Sequence, residues 1–232
     1  MPEAARLEAV RQLLTSQTPS LIEENRRIHR LLTDGLSVEY RAPDGRITST
    51  KVWFIDLSEP DANDWLVVNQ FTVVEAGQNR RADVVLFVNG LPPAVLELKN
   101  AAAENASTAG AFNQLGTYKK RIPSLFRTNA ALVVSDGIEA RIGSLTADFE
   151  RFMPWRTATG EDFAHRGTPE LDTLLRGVFD RQRFLELLRD FTVFGDSGSG
   201  PFKILAGYHQ AGRMATARSA LSGTRKVPAR AC

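Results

Sequence analysis

The stretch RADVVLFVNGLPPAVLELKN, residues 81–100, decides the fold. Runs of Val, Leu and Ala flank Asn89-Gly90, a pair suited to a two-residue hairpin because both turn positions take positive φ. The runs read as antiparallel strands over 82–88 and 93–99. Side chains two apart on a strand share a face, so Glu97 and Lys99 point the same way. With the turn centred near Gly90, Asp83 lies opposite Glu97, give or take one residue, at a Cβ separation of about 4.5–5.5 Å. Two carboxylates so placed can grip one hard divalent ion through oxygen. Charges set among Val95, Leu96 and Leu98 need a partner or a metal, because burying an unpaired charge is costly. The same residues also suit a Glu97–Lys99 ion pair on a wet face of the hairpin, and the pattern alone leaves both readings open.

Outward from this hairpin, the apolar spacing predicts helices over 3–14 and 20–33, separated by the helix-breaking Pro19. Ser20 is an N-cap candidate with Glu23 three residues on, and Gly35 is a C-terminal stop. A period of two then predicts strands at 36–41 and 46–57 around Asp44-Gly45, and at 65–75. A helix is expected over 107–121, ended by Pro123, then strands at 130–135 and 138–142. This order gives a mixed α/β fold, a sheet flanked by helices, over residues 1–150. Beyond it, 154–169 reads as loop, 170–190 as helical, and DSGSGP at 196–201 as a flexible connection.

Composition sets broad limits. The chain has 232 residues, 43% apolar and 24% charged, enough for a substantial core. The one cysteine, Cys232, excludes an internal disulfide and any cysteine-based zinc cluster, and a reducing cytoplasm fits. Neither a signal peptide nor a membrane-spanning run is expected. Net charge is +2, but the acid-free stretch from Ser197 carries six basic residues, leaving a net of −4 over 1–196. A nucleic-acid site in the main body must therefore be a local patch.

Asp83, Glu97 and Lys99 match the D…ExK core of the PD-(D/E)xK nuclease superfamily, with Ala82 in place of the proline of its name. Gln114 and Tyr118 form Q-x-x-x-Y on one helix face, which resembles the motif that follows the core in the RecB-like branch. An ordinary helix surface would read the same way. LIEENRRIHRLLTDGLSVEYR, the ELKN core, NQLGTYKKRIPSLF and ALVVSDGIEARIGSL together resemble the N-terminal part of type I restriction enzyme R subunits, over roughly residues 15–210. This resemblance implies a restriction-endonuclease-like fold and Mg²⁺ held by Asp83 and Glu97, with Lys99 as the third catalytic residue. It also implies support from Gln114 and Tyr118, and a further acidic residue on an early helix, Glu24 or else Glu23. Those two also suit ordinary helix-cap electrostatics. Lys119, Lys120 and Arg121 suit either phosphate contact or a solvated helix end.

The resembled family carries a motor after the nuclease. Gly195 to Gly200 has the glycine spacing of a phosphate loop, but Pro201 and Phe202 stand where Lys and Ser/Thr belong. Residues 151–210 are thus expected to be a connection toward an absent motor. Tyr208-His209-Gln210 resembles the segment just before it, where a glutamine can read adenine. Without the motor Gln210 should bind nucleotide weakly or not at all, and ATP is needed only by a full-length member. Residues 211–232 read as a divergent, disordered basic tail. Expected partners are double-stranded DNA and the methylation and specificity subunits of a type I complex, with no membrane. Two functions are compatible with these residues: an Mg²⁺-dependent endonuclease domain, or a non-catalytic remnant that binds DNA or partner subunits.

Overall fold

The computed structural model describes residues 3–42, 44–100, 107–159, 163–165, 167–198 and 200–207. It opens with helices α1 (Glu3–Leu14) and α2 (Leu21–Asp34), then a hairpin of β1 (Leu36–Arg41) and β2 (Ile47–Val52). A run of strands follows: β3 (Trp65–Glu75), β4 (Gln78–Val88) and β5 (Leu91–Leu98). Helix α3 (Thr108–Arg121) leads to β6 (Ala131–Ser135), β7 (Ala140–Gly143) and the short β8 (Met153–Pro154). The described part ends with α4 (Glu170–Val178), α5 (Arg181–Asp190), β9 (Thr192–Ser197) and β10 (Gly200–Leu205).

Six strands make one sheet in the order β3-β4-β5-β6-β7-β8. Every pairing is antiparallel except β5 with β6, which run parallel and are joined through α3. A parallel neighbour needs such a crossover, and the helix it contains covers one sheet face. Alternation along β5 and β6 divides the core. Ala94, Leu96, Ala131 and Val133 face α2, α4 and α5, packing with Ile28, Leu32, Leu174, Val178, Phe184 and Leu188. Val95, Leu132 and Val134 face α3, packing with Ala111, Leu115 and Tyr118. The mixed α/β sheet flanked by helices is as the sequence predicts. The first of these clusters also takes in Trp155, Leu174, Val178, Phe184 and Leu205 from beyond residue 150.

Local chemistry explains the ends of the elements. Ser20 caps α2 by accepting from the Glu23 amide, and Gly35 follows with φ 71°. Glu23 does not close a capping box: its carboxylate accepts from the Thr18 hydroxyl instead. The predicted strand at 46–57 stops at Val52, because Asp56 accepts from the amides of Ser58 and Glu59 while Asn63 accepts from the Asp56 amide. The strand predicted at 82–88 starts earlier, at Gln78, after a turn in which Ala76 and Gly77 both have positive φ. Its polar start carries no apolar alternation to announce it. DSGSGP is not a loose connection but the tip of the β9–β10 hairpin, in register as Asp196 with Pro201 and Ser197 with Gly200. Gly195 is needed there: a Cβ would lie 2.5 Å from the Phe202 ring.

That hairpin is pinned to the sheet by Lys203, which is buried. Its ammonium donates to Asn25 Oδ1 at 3.1 Å and to the Asn129 carbonyl at 2.5 Å. Burial pulls it down to about 7. Asn25, on α2, donates in turn to the carbonyls of Phe126, Arg127 and Asn129 at 3.2, 3.0 and 2.9 Å. One buried amide thus ties α2, the start of β6 and β10 together. Asn25→Ala is expected to cost about 2–4 kcal/mol, since several buried polar groups lose their partner at once. Urea unfolding should show a midpoint shifted down with little change in slope.

Candidate active site

The hairpin register puts Val84 opposite Leu96, so Asp83 and Glu97 face each other one step further along. Both lie where the central strands approach α3. Glu97 is fully buried, at 0% exposure, on the α3 side of β5. Its Oε1 receives the Lys99 ammonium at 3.3 Å, while its Oε2 is buried without a hydrogen-bond partner. Asp83 is held from both neighbouring strands: Oδ1 accepts from Gln70 Nε2 at 3.1 Å and Oδ2 from the Leu98 amide at 2.9 Å.

The helix adds a second layer. Gln114 Oε1 takes a short hydrogen bond from the Lys99 ammonium. Gln114 Nε2 donates to the Tyr118 hydroxyl at 2.5 Å, which donates to the Arg81 carbonyl at 2.7 Å. One relay therefore runs from Glu97 through Lys99, Gln114 and Tyr118 to β4. The spacing of four on α3 is what lets Gln114 and Tyr118 act in series.

Burial pushes the Glu97 carboxyl up to about 7; the neighbouring Asp83 charge adds to this and Lys99 opposes it. Burial likewise raises Tyr118, against the pull of its Gln114 bond. A fully buried carboxyl with one unpartnered oxygen beside a second carboxylate fits a hard divalent cation in its donor type. Among the described residues no group of three or more His, Cys, Asp or Glu could hold a metal, so the pair would supply two protein ligands. Mg²⁺ commonly takes one or two carboxylates and completes its shell with water and phosphate oxygens.

The structure brings together Asp83, Glu97, Lys99, Gln114 and Tyr118. It does not bring Glu24 to them. The Glu24 carboxylate is buried but occupied, with Arg27 at 2.6 Å, Arg127 at 2.9 Å and the Gln17 amide at 3.2 Å. Arg127 precedes β6, whereas Glu97 pairs with Val134 near that strand's far end, several residues away at about 3.3 Å each. The Glu24 carboxyl is held down to about 2 by the two arginines, against the cost of burial. Glu23 is exposed on the same turn. Lys119 is also taken, donating to the Leu145 carbonyl at 3.0 Å, which leaves Lys120 and Arg121 as the exposed cations of that run. Gln210 and the segment 211–232 lie outside the described residues. The residue missed from sequence is Gln70, whose only signal was the polar pair Asn69-Gln70 interrupting an apolar strand.

An aspartate and a glutamate on adjacent strands of a mixed sheet, with a lysine two residues beyond the glutamate, form the D…ExK arrangement that the residues resemble. The family described as type I restriction enzyme R protein N terminus matches residues 3–151, and the chain belongs to that family. It is 39% identical over 214 residues to the type I restriction enzyme HindI endonuclease subunit of Haemophilus influenzae, covering 90% of this chain and 20% of that protein. A Methanocaldococcus jannaschii protein, named provisionally as the type I restriction enzyme MjaIXP endonuclease subunit, is 31% identical over 229 residues, with 90% and 21% covered. The chain therefore spans about a fifth of the length of these two relatives. Among the described residues no helix is long and apolar enough to cross a membrane.

The raised Glu97 carboxyl has a consequence for stability. The folded protein holds a proton there that the unfolded chain, near 4.5, releases earlier. Stability without metal therefore falls as pH rises from about 4.5 through about 7, on the order of 3 kcal/mol from this group. Glu97→Gln removes the ionisation, and the introduced amide can donate to Asp83. In chelator, the variant is expected to be more stable than the parent at pH 8 and nearly equal to it at pH 5. An offset of the same size at both values in urea melts would contradict the assigned burden.

Proposed function

We propose that this chain is an Mg²⁺-dependent endonuclease region that hydrolyses DNA phosphodiesters within a type I restriction enzyme R subunit. The observation that carries the reading is the buried Glu97 oxygen without a partner, beside Asp83 and within reach of Lys99. Asp83 and Glu97 would hold the cation, which when bound polarises the scissile phosphate and lowers the pKa of a water ligand. The attacking water gives up one proton to solvent as its oxygen bonds to phosphorus, the bond to one sugar oxygen breaks, and the departing oxygen takes a proton from solvent.

The chain's own groups have separate parts in this scheme. Asp83 stays oriented by its two donors. Lys99, held by Gln114, offers a positive charge to the extra negative charge that builds on the phosphate oxygens. Tyr118 keeps Gln114 in place. Contacts to DNA are to the backbone, which positions a duplex without reading bases. Lys120 and Arg121 are the cations of the α3 end open to such contact. Sequence recognition and methylation belong to the partner subunits proposed for the assembly. ATP use belongs to motor segments of a full-length subunit.

Replacing Asp83, Glu97 or Lys99 with Ala in a complete subunit containing this region should reduce Mg²⁺-dependent cleavage of long DNA by at least about 10²–10³. ATP hydrolysis and translocation should persist, because they use a different site. Loss of either carboxylate weakens metal binding, whereas loss of Lys99 leaves the metal and removes the charge that stabilises the transition state. A Glu97→Ala subunit that cuts at the parental rate would remove the assignment and leave a non-catalytic role in binding DNA or partner subunits.

A further inference from the structure

Gln70 sits in the middle of the eleven-residue strand β3 with φ 53°, the left-handed region that residues with a side chain rarely enter. The register explains where it falls. Asn69 pairs with Val84 and Phe71 with Ala82, so Gln70 and Asp83 occupy the unpaired step between them. The alternation of both strands breaks at this step. On β4, Val84, Leu86 and Val88 belong to the α2 side of the sheet and Val85 and Phe87 to the α3 side, yet Ala82 also belongs to the α3 side. On β3, Trp65 packs on the α2 side, whereas Phe71 and Val73, equally odd in number, pack on the α3 side. A regular strand cannot put both Ala82 and Asp83 toward the same face, since its side chains alternate. The kink is what permits it.

The kink opens a gap in the ladder that side chains fill. The Gln70 amide reaches across to Asp83 Oδ1, and the Leu98 amide of the other neighbouring strand reaches Oδ2. The carboxylate is thereby fixed at both ends. Each of its oxygens has two lone pairs and meets one donor among the described residues, and the carboxylate lies against the Glu97 carboxyl. Backbone strain of this kind costs stability and persists where the surroundings over-determine it.

We infer that Gln70 is the positioning residue for Asp83: its left-handed backbone kinks β3 and its amide fixes the Asp83 carboxylate in the orientation that receives a divalent cation. This rests on the reading of Asp83 and Glu97 as cation ligands. It extends that reading to a residue outside the D…ExK pattern, one that acts through Asp83 rather than on substrate.

The test is calorimetric titration of Mg²⁺, and of Mn²⁺ as a second probe, into the protein and its Asp83→Asn, Gln70→Gly and Gln70→Asn variants, each with its melting temperature. Glycine accepts the positive φ without strain but has no amide. Gln70→Gly should therefore melt at or above the parental temperature, yet bind the ion about ten-fold more weakly. Gln70→Asn keeps an amide and tolerates the same backbone, so it should recover part of the loss. Asp83→Asn should abolish binding. If Asp83→Asn abolishes binding while Gln70→Gly binds as the parent does, the inference about Gln70 falls and the cation site stands. A Gln70→Gly variant that binds weakly only because it melts well below the parent also overturns it, since the residue is then structural. If the parent binds no ion, or Asp83→Asn binds as well as the parent, the cation-site reading fails and the inference fails with it.

Discussion

Glu97 is a carboxyl group kept from water beside another carboxylate, and that arrangement is unstable unless something is built to hold it. Burying one ionised carboxylate is expensive, and setting a second negative charge next to it adds to the cost. The sheet supplies partial answers: a lysine two residues on, a proton retained up to about 7, and two donors fixed on Asp83. None of them partners the second Glu97 oxygen. A fold that only needed stability would fill this place with an apolar side chain, as it does at Val95 next door.

The surrounding architecture is consistent with that constraint. The parallel pairing of β5 and β6 forces a crossover, and the crossover helix α3 roofs the Glu97 face of the sheet. The same helix carries Gln114 and Tyr118, so one element both excludes water and orients Lys99. The other face is closed by α2, α4 and α5, and there the buried polar groups are tied to one another through Asn25, Asn129 and Lys203. Polar chemistry is thus present on both faces, but among the described residues only the α3 face leaves a buried acidic oxygen without a partner.

The parts legible in sequence were those that obey a short period. Asn89-Gly90 announces the hairpin, but the pairing of Asp83 against Glu97 depends on an irregularity between Leu86 and Val88 that shifts the turn's register by one residue. The spacing of four between Gln114 and Tyr118 likewise survives as a physical contact. What could not be read were departures from period. Gln70 breaks the alternation of β3 through one backbone angle that no composition announces. DSGSGP looked like a linker because Gly and Ser favour flexibility, yet Val193, Phe194, Phe202 and Ile204 around it form a hairpin. Glu24 suits a metal ligand only by its place on an early helix. Its fate was decided by Arg127, more than a hundred residues away, a contact that no local pattern encodes.

The most direct test of the central claim is a crystal structure of this protein grown with Mn²⁺, with anomalous scattering used to locate the ion. The account expects one strong peak shared by the carboxylates of Asp83 and Glu97, on the α3 side of β5. A peak bound elsewhere, with none at the Asp83–Glu97 pair, would contradict it.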